Sequence, residues 1–256
     1  MTARGLLAFI GALAICICPG CWASSAPDVP PKDVPPDVIE IIKAIDAGNE
    51  GRLQTLLENG AVPTPAGSPL SPIHAAITHF ENGKLFCDTK AMRLLLDHGA
   101  NPNFIDQYSG FAPLEEALSM GEMECITLLR AAGVNIETHG NSIQSLMQFA
   151  VKGTVRSGDI TLLSLVKSWG VSPNVVMGEG RAFTALHEAA WITSAEKADL
   201  VVEELLRLGA DPCIRDRGET ALDVAEDIKS SPIVQARLRS AMTACPGRLT
   251  TRLSGP

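Results

Sequence analysis

His187 and Glu188 begin the pattern His-Glu-x-x-His, which places two imidazoles on one helix face to bind zinc and leaves the glutamate as a base. The fifth position holds Trp191, so the second ligand is missing. Cys18-Pro19-Gly20-Cys21 has the spacing of a redox dithiol. A reactive thiol of that kind needs a helix N-terminus beside a sheet to lower its pKa, and no strand–helix pattern surrounds this pair. His79, His98 and His139 are scattered, with no ligand partner three or four residues away. Glu115-Glu116 and Glu203-Glu204 are adjacent pairs, which point to different sides of a helix and read as solvated faces rather than an acid/base couple. The sequence shows no phosphate-binding glycine loop and no nucleophile elbow. It implies no cofactor, no metal site and no enzyme.

What it does imply is a set of elements that present side chains to something else. From Phe183 to Asp216 the chain reads as a tight turn, a short helix opened by Thr184, a longer second helix and a glycine stop. Val201, Val202, Leu205 and Leu206 recur at helical spacing and form one apolar stripe. Gly209 supplies the left-handed residue that ends the helix, and Asp211-Pro212 forbids its continuation. A single helix pair cannot bury its own stripe, so it needs copies of itself on either side.

The copies are present. His74-Ala75-Ala76 leads to Leu94-Leu95-Leu96 and Gly99, Ala112-Pro113-Leu114 to Leu128-Leu129 and Gly133, and Ser145-Leu146-Met147 to Leu165-Val166 and Gly170. A weaker first copy runs from Val38 through Leu56-Leu57 to Gly60, and a last one opens at Thr220-Ala221-Leu222. The stop glycines at 60, 99, 133, 170 and 209 are spaced by 39, 34, 37 and 39 residues. That clusters near a period of roughly 33, lengthened by insertions.

Ser71-Pro72-Ile73-His74, Ala112-Pro113-Leu114-Glu115 and Thr184-Ala185-Leu186-His187 resemble the Thr-Pro-Leu-His box of ankyrin repeats. The runs at 95–102 and 205–212 resemble that family's helix-two terminus. The resemblance covers about six repeats, from Val38 to Met242, and implies an all-α solenoid of helix-turn-helix repeats with short hairpin-like turns. Copy four departs most: Gln144-Ser145-Leu146-Met147 stands where the box should be. The resemblance also gives His74 and His187 a structural role, tying turns together by hydrogen bonds.

In such repeats a concave surface is made from the first helices and the projecting turns. Aligned on the box, the residues facing it are Glu116 and Ser119, Gln148 and Val151, then Glu188 and Trp191. The turn tips add Gln107, Tyr108, Asn141, Arg181, Arg215 and Arg217. Trp191 is the first choice for a binding hot spot. The insertion at His79 to Asp88 lengthens the connection between the helices of repeat two, and Phe80 and Phe86 make it a second candidate contact surface. Smaller insertions lie at Thr154 to Gly158 and Thr193 to Lys197.

The chain of 256 residues has a formal charge of −8 and only 4% aromatic residues, the latter suited to helix stacking through alanine and leucine. An acidic chain without a basic cluster repels phosphate backbones, which excludes nucleic acid as the expected partner. Residues 1–23 read as a signal peptide: Arg4, an uncharged run from Gly5 to Cys18, and a small-x-small site ending at Ala23. Two further readings stand beside cleavage after Ala23, an uncleaved anchor and a lipidated Cys21 as in bacterial lipoproteins. All three export the repeats to the bacterial envelope, the first to the periplasm, and only lipidation at Cys21 or the anchor puts them at a membrane. Residues 24–37 follow as a proline-rich linker, 38–245 as the repeat domain and 246–256 as a flexible tail.

Outside the first 23 residues the cysteines are Cys87, Cys125, Cys213 and Cys245. An even number in an exported chain permits disulfides. The repeat geometry sets Cys213 and Cys245 at a similar level one repeat apart, and we expect them to pair. Cys87 and Cys125 lie near the second helices of neighbouring repeats and could pair too, with buried free thiols the first reading. The function expected of the whole is protein binding in the envelope. The partner is a secreted effector, which this chain would hold inactive as an immunity protein, or an envelope enzyme. A lipid-anchored scaffold or protective chaperone-like element is the alternative.

Overall fold

The computed structural model describes residues 34–81, 84–107, 109–141, 144–176 and 182–245. The expected signal peptide with Cys21, most of the proline-rich stretch and the C-terminal tail lie outside the described residues, as do Tyr108 and Arg181. The fold is all-α, with twelve α-helices among the described residues, and the chain divides into two compact units between Ala100 and Asn101.

The first unit holds α1 (Pro36–Asp46), α2 (Glu50–Glu58), α3 (Pro72–Ile77) and α4 (Thr89–Asp97). The helix α1 starts on Pro36, two residues before the expected edge of the repeat domain, because proline fits the first turn, where its missing N–H is not needed. It buries Val38, Ile41, Ala44 and Ile45, one face at helical spacing. It packs on α2 and α3, and α4 packs on α2 and α3. The insertion in repeat two is no plain loop. His79–Glu81 and Lys84–Phe86 pair as antiparallel strands β1 and β2, in the register His79–Phe86 and Phe80–Leu85. Opposed residues share a face, so His79 packs edge-on against Phe86 with ring centroids 5.0 Å apart, while Phe80 is exposed on the other face.

The second unit holds α5 (Pro113–Met120), α6 (Met123–Ala131), α7 (Leu146–Ser157), α8 (Thr161–Ser168), α9 (Ala185–Ala190), α10 (Ala195–Arg207), α11 (Ala221–Asp227) and α12 (Pro232–Ala241). The first helix of each pair stacks on the next: α5 on α7, α7 on α9 and α9 on α11. The pattern Val201, Val202, Leu205 lies inside α10 with Ala198, and each of its three larger side chains contributes about 1.5–3 kcal/mol by burial. At the end of α10, Gly209 has φ +91° and lets Ala210 N–H reach the carbonyl of Leu205 at 2.8 Å. The other four stop glycines also have positive φ. The two small insertions lengthen helices: Thr154 to Ser157 are the last turn of α7, and Ala195 to Lys197 the first turn of α10.

Two helices of this unit meet backbone to backbone. A Cβ placed on Gly153 of α7 would lie 1.9 Å from the carbonyl oxygen of Leu118 on α5. Only glycine permits that approach.

Candidate protein-interaction face

Each first helix in the second unit is closed at its start by the residue three places beyond its N-cap. Gln148 accepts from Ser145 N–H at 2.8 Å, and Asp223 from Thr220 N–H at 2.8 Å. His187 accepts from Thr184 N–H at 3.2 Å through Nδ1, which leaves Nε2 to donate to the Glu219 carbonyl at 3.2 Å. His187 is buried, and burial holds its imidazole below the ordinary histidine pKa. Glu115 does the same work as a carboxylate: Oε2 accepts from Ala112 N–H and from Gly140 N–H, each at 2.9 Å, with His139 Nδ1 3.6 Å from Oε1.

These N-caps fix which residues come to the surface. Seven places beyond Ala112, Ser145, Thr184 and Thr220 stand Ser119, Lys152, Trp191 and Asp227, one from each of four successive stacked helices. Ser119 is half-buried, with its hydroxyl on the Glu116 carbonyl at 2.9 Å. Lys152 reaches Gln144 at 2.6 Å and Glu188 at 3.9 Å, and lies over the Phe149 ring at 5.7 Å from its centroid. Gln144 also donates to Glu188 at 3.2 Å, so a lysine, an amide and a half-buried carboxylate join α7 to α9. Burial pushes the Glu188 carboxyl up, opposed by Lys152 and by the Gln144 hydrogen bond. Trp191 is 43% exposed and Asp227 is exposed.

The structure corrects several expectations. Gln148 and Val151 do not face outward; each is 1% exposed. The alignment that chose them slips by one residue, because the N-cap of α7 is Ser145 and not Gln144. Lys152 takes the outward place. Glu116 is 9% exposed, and burial, with Asp106 adding to it, pushes its carboxyl up to about 8. The pair Glu115-Glu116 is therefore no solvated face: Glu115 is fully enclosed. Of the turn residues, Gln107, Asn141, Arg215 and Arg217 are exposed, while Tyr108 and Arg181 lie outside the described residues. Lys152, Gln144 and Asp227 went unread in the sequence. The signal that finds the first two is the capping box Ser145-x-x-Gln148, which sets the register.

Cys213 and Cys245 form a disulfide with their Cα atoms 5.6 Å apart, joining the turn after α10 to the 3₁₀ turn Met242–Ala244 that follows α12. Cys87 and Cys125 are buried but not free thiols, since both are disulfide-bonded.

The fold and this face define a helix-pair repeat protein that presents side chains from successive first helices. The family model described as Ankyrin repeat matches residues 70–107 and 183–217. The chain thus carries ankyrin repeats. It is 31% identical over 125 residues to "Ankyrin repeat and SOCS box protein 11" of Danio rerio, a match spanning 48% of this chain and 39% of that protein. The chain thus spans about two fifths of that curated relative's length. Among solved structures it resembles the human ASB11 ankyrin repeat domain, at 23% identity and TM-score 0.59, over 78% of this chain and 81% of that one. It also resembles the ankyrin repeat protein EF0377, at 20% identity and TM-score 0.62, over 81% and 98% of the two chains. A chain from the complex of the predatory endopeptidase Bd0816 of Bdellovibrio bacteriovorus with immunity protein Bd3460 is 18% identical, with TM-score 0.58, over 78% and 97%. At these identities the three structures speak for the fold.

Proposed function

We propose that this chain is a non-catalytic binding module that takes a protein partner on the face formed by Ser119, Lys152, Trp191 and Asp227. The observation that carries this reading is Trp191: a tryptophan left 43% exposed at the end of a helix whose other outward neighbours are polar. Large aromatic side chains ringed by polar groups are the usual anchors of protein interfaces. The exposed turn residues Gln107, Asn141, Arg215 and Arg217 belong to the same repeats and extend the candidate surface.

The proposal places the module outside the cytoplasm, in the periplasm of a bacterial envelope. Two observations support export: the N-terminal stretch with the order of a signal peptide, and four disulfide-bonded cysteines in the repeat region. The partner class we propose is a secreted effector that the chain holds inactive. The fold seen in the endopeptidase–immunity protein complex is compatible with that role.

Affinity purification from the envelope fraction, with wild-type chain and Trp191→Ala side by side, tests the reading. A partner retained by the first and lost by the second, with the helical circular dichroism unchanged, is the expected result. Equal retention by both chains counts against the face, and recovery of the chain only from the cytoplasmic fraction counts against export.

A further inference from the structure

The disulfide-bonded cysteines fall into two classes by exposure. Cys87 and Cys125 are 7% and 0% exposed, whereas Cys213 and Cys245 are both half-buried at the C-terminal end of the described chain. The helices enclosed by the Cys213–Cys245 loop are also held by Arg237 of α12, bidentate on Asp199 of α10 at 2.6 and 3.0 Å, and by the packing of α11 on α9, so the disulfide is their covalent hold. Within α12, Val234 and Leu238 are the buried residues, and Ile233 is 60% exposed. The same repeat carries Arg217 at φ +50° and Lys229 at φ +56°, the non-glycine residues with positive φ among those described. Side chains with a Cβ are disfavoured in that region. A terminal repeat also has a neighbour on one side only.

We propose that Cys213–Cys245 is a thiol-sensitive latch, which keeps α11 and α12 folded in an oxidising compartment and releases them where small thiols are abundant. The chemistry is ordinary exchange with a low-molecular-weight thiol such as glutathione. Its thiolate attacks one sulfur, the Cys213–Cys245 bond breaks and a mixed disulfide forms. A second thiol then resolves it, so that two reductant thiols become one disulfide and the protein gains two electrons and two protons. Cys213 and Cys245 are only partly buried, which lets the reductant reach them, and burial keeps it from Cys87 and Cys125. Opening removes Asp227 from its row and frees the turn bearing Arg215 and Arg217. That consequence for binding rests on the function proposed above; the latch itself does not.

The test uses the folded chain without denaturant. Limited treatment with reduced glutathione followed by alkylation and peptide mapping should label Cys213 and Cys245 at least about tenfold faster than Cys87 and Cys125. Hydrogen exchange should then show α11 and α12 losing protection on the order of 100- to 1000-fold, the change expected from releasing a loop of this length, while α7 and α9 keep theirs. A chain carrying Cys213→Ser and Cys245→Ser should show the same loss without any reductant. Labelling of all four cysteines together, or unchanged protection of α11 and α12 in the double variant, would overturn the proposal. Either result leaves the binding reading standing.

Discussion

The Glu115 carboxylate accepts the N–H of Gly140, 25 residues further on, at 2.9 Å, while its own repeat supplies Ala112 N–H to the same oxygen. In the fifth repeat His187 spans the corresponding gap with the polarity reversed, donating to the carbonyl of Glu219. In these two repeats one buried side chain therefore joins a helix start to the following turn, and the turn can offer either a donor or an acceptor. Glu115→Leu would strand two amide donors, one of them buried and the other part-buried, and should lower stability by about 2–4 kcal/mol. Glu115→Gln, which retains an acceptor oxygen, should cost about 1 kcal/mol or less. Denaturant midpoints of the two variants check the difference.

Glu116 sets a pH dependence. Its carboxyl is pushed up to about 8 by burial, above the 4.5 of a free glutamate, so the folded chain holds a proton that the unfolded chain has lost. The stability this contributes is full below about pH 4.5 and is lost as pH rises towards 8, at no more than about 1.4 kcal/mol per unit. Unfolding curves from pH 5 to 8 should show the decline, and Glu116→Gln should flatten it.

The approach of α5 to α7 predicts a steep penalty at one glycine. Gly153→Ala puts a methyl group 1.9 Å from the Leu118 carbonyl oxygen, and relief requires moving one helix. A loss of about 3 kcal/mol or more is expected, visible as a lower thermal midpoint. Gly51→Ala, where the nearest heavy atom is 3.9 Å away, serves as the control and should change little or gain.

Much of this fold was legible because each repeat writes its own punctuation. Gly99, Gly133, Gly170 and Gly209 mark helix ends by a backbone need that no other residue meets as cheaply, and Thr184 marks a start. What could not be read depends on neighbours. Glu116 looks like any exposed helix carboxylate until the packing around it closes. The same holds for the adjacent Glu115, whose partner Gly140 belongs to the next repeat. The register of α7 is hard to read for a different reason. Its box lacks threonine, proline and histidine, and only the serine–glutamine cap that replaces them shows that Lys152, not Val151, takes the outward place. The hairpin at His79–Phe86 escaped because three-residue strands leave almost no periodic signal.

The central claim, that a protein partner sits on the row containing Trp191, is tested most directly by site-specific photocrosslinking in cells. Trp191→p-benzoylphenylalanine is compared with Leu200→p-benzoylphenylalanine, since Leu200 is 53% exposed on α10 and outside that row. A discrete protein adduct from position 191 and none from position 200 is the predicted result. An adduct at 200 without one at 191 would contradict it.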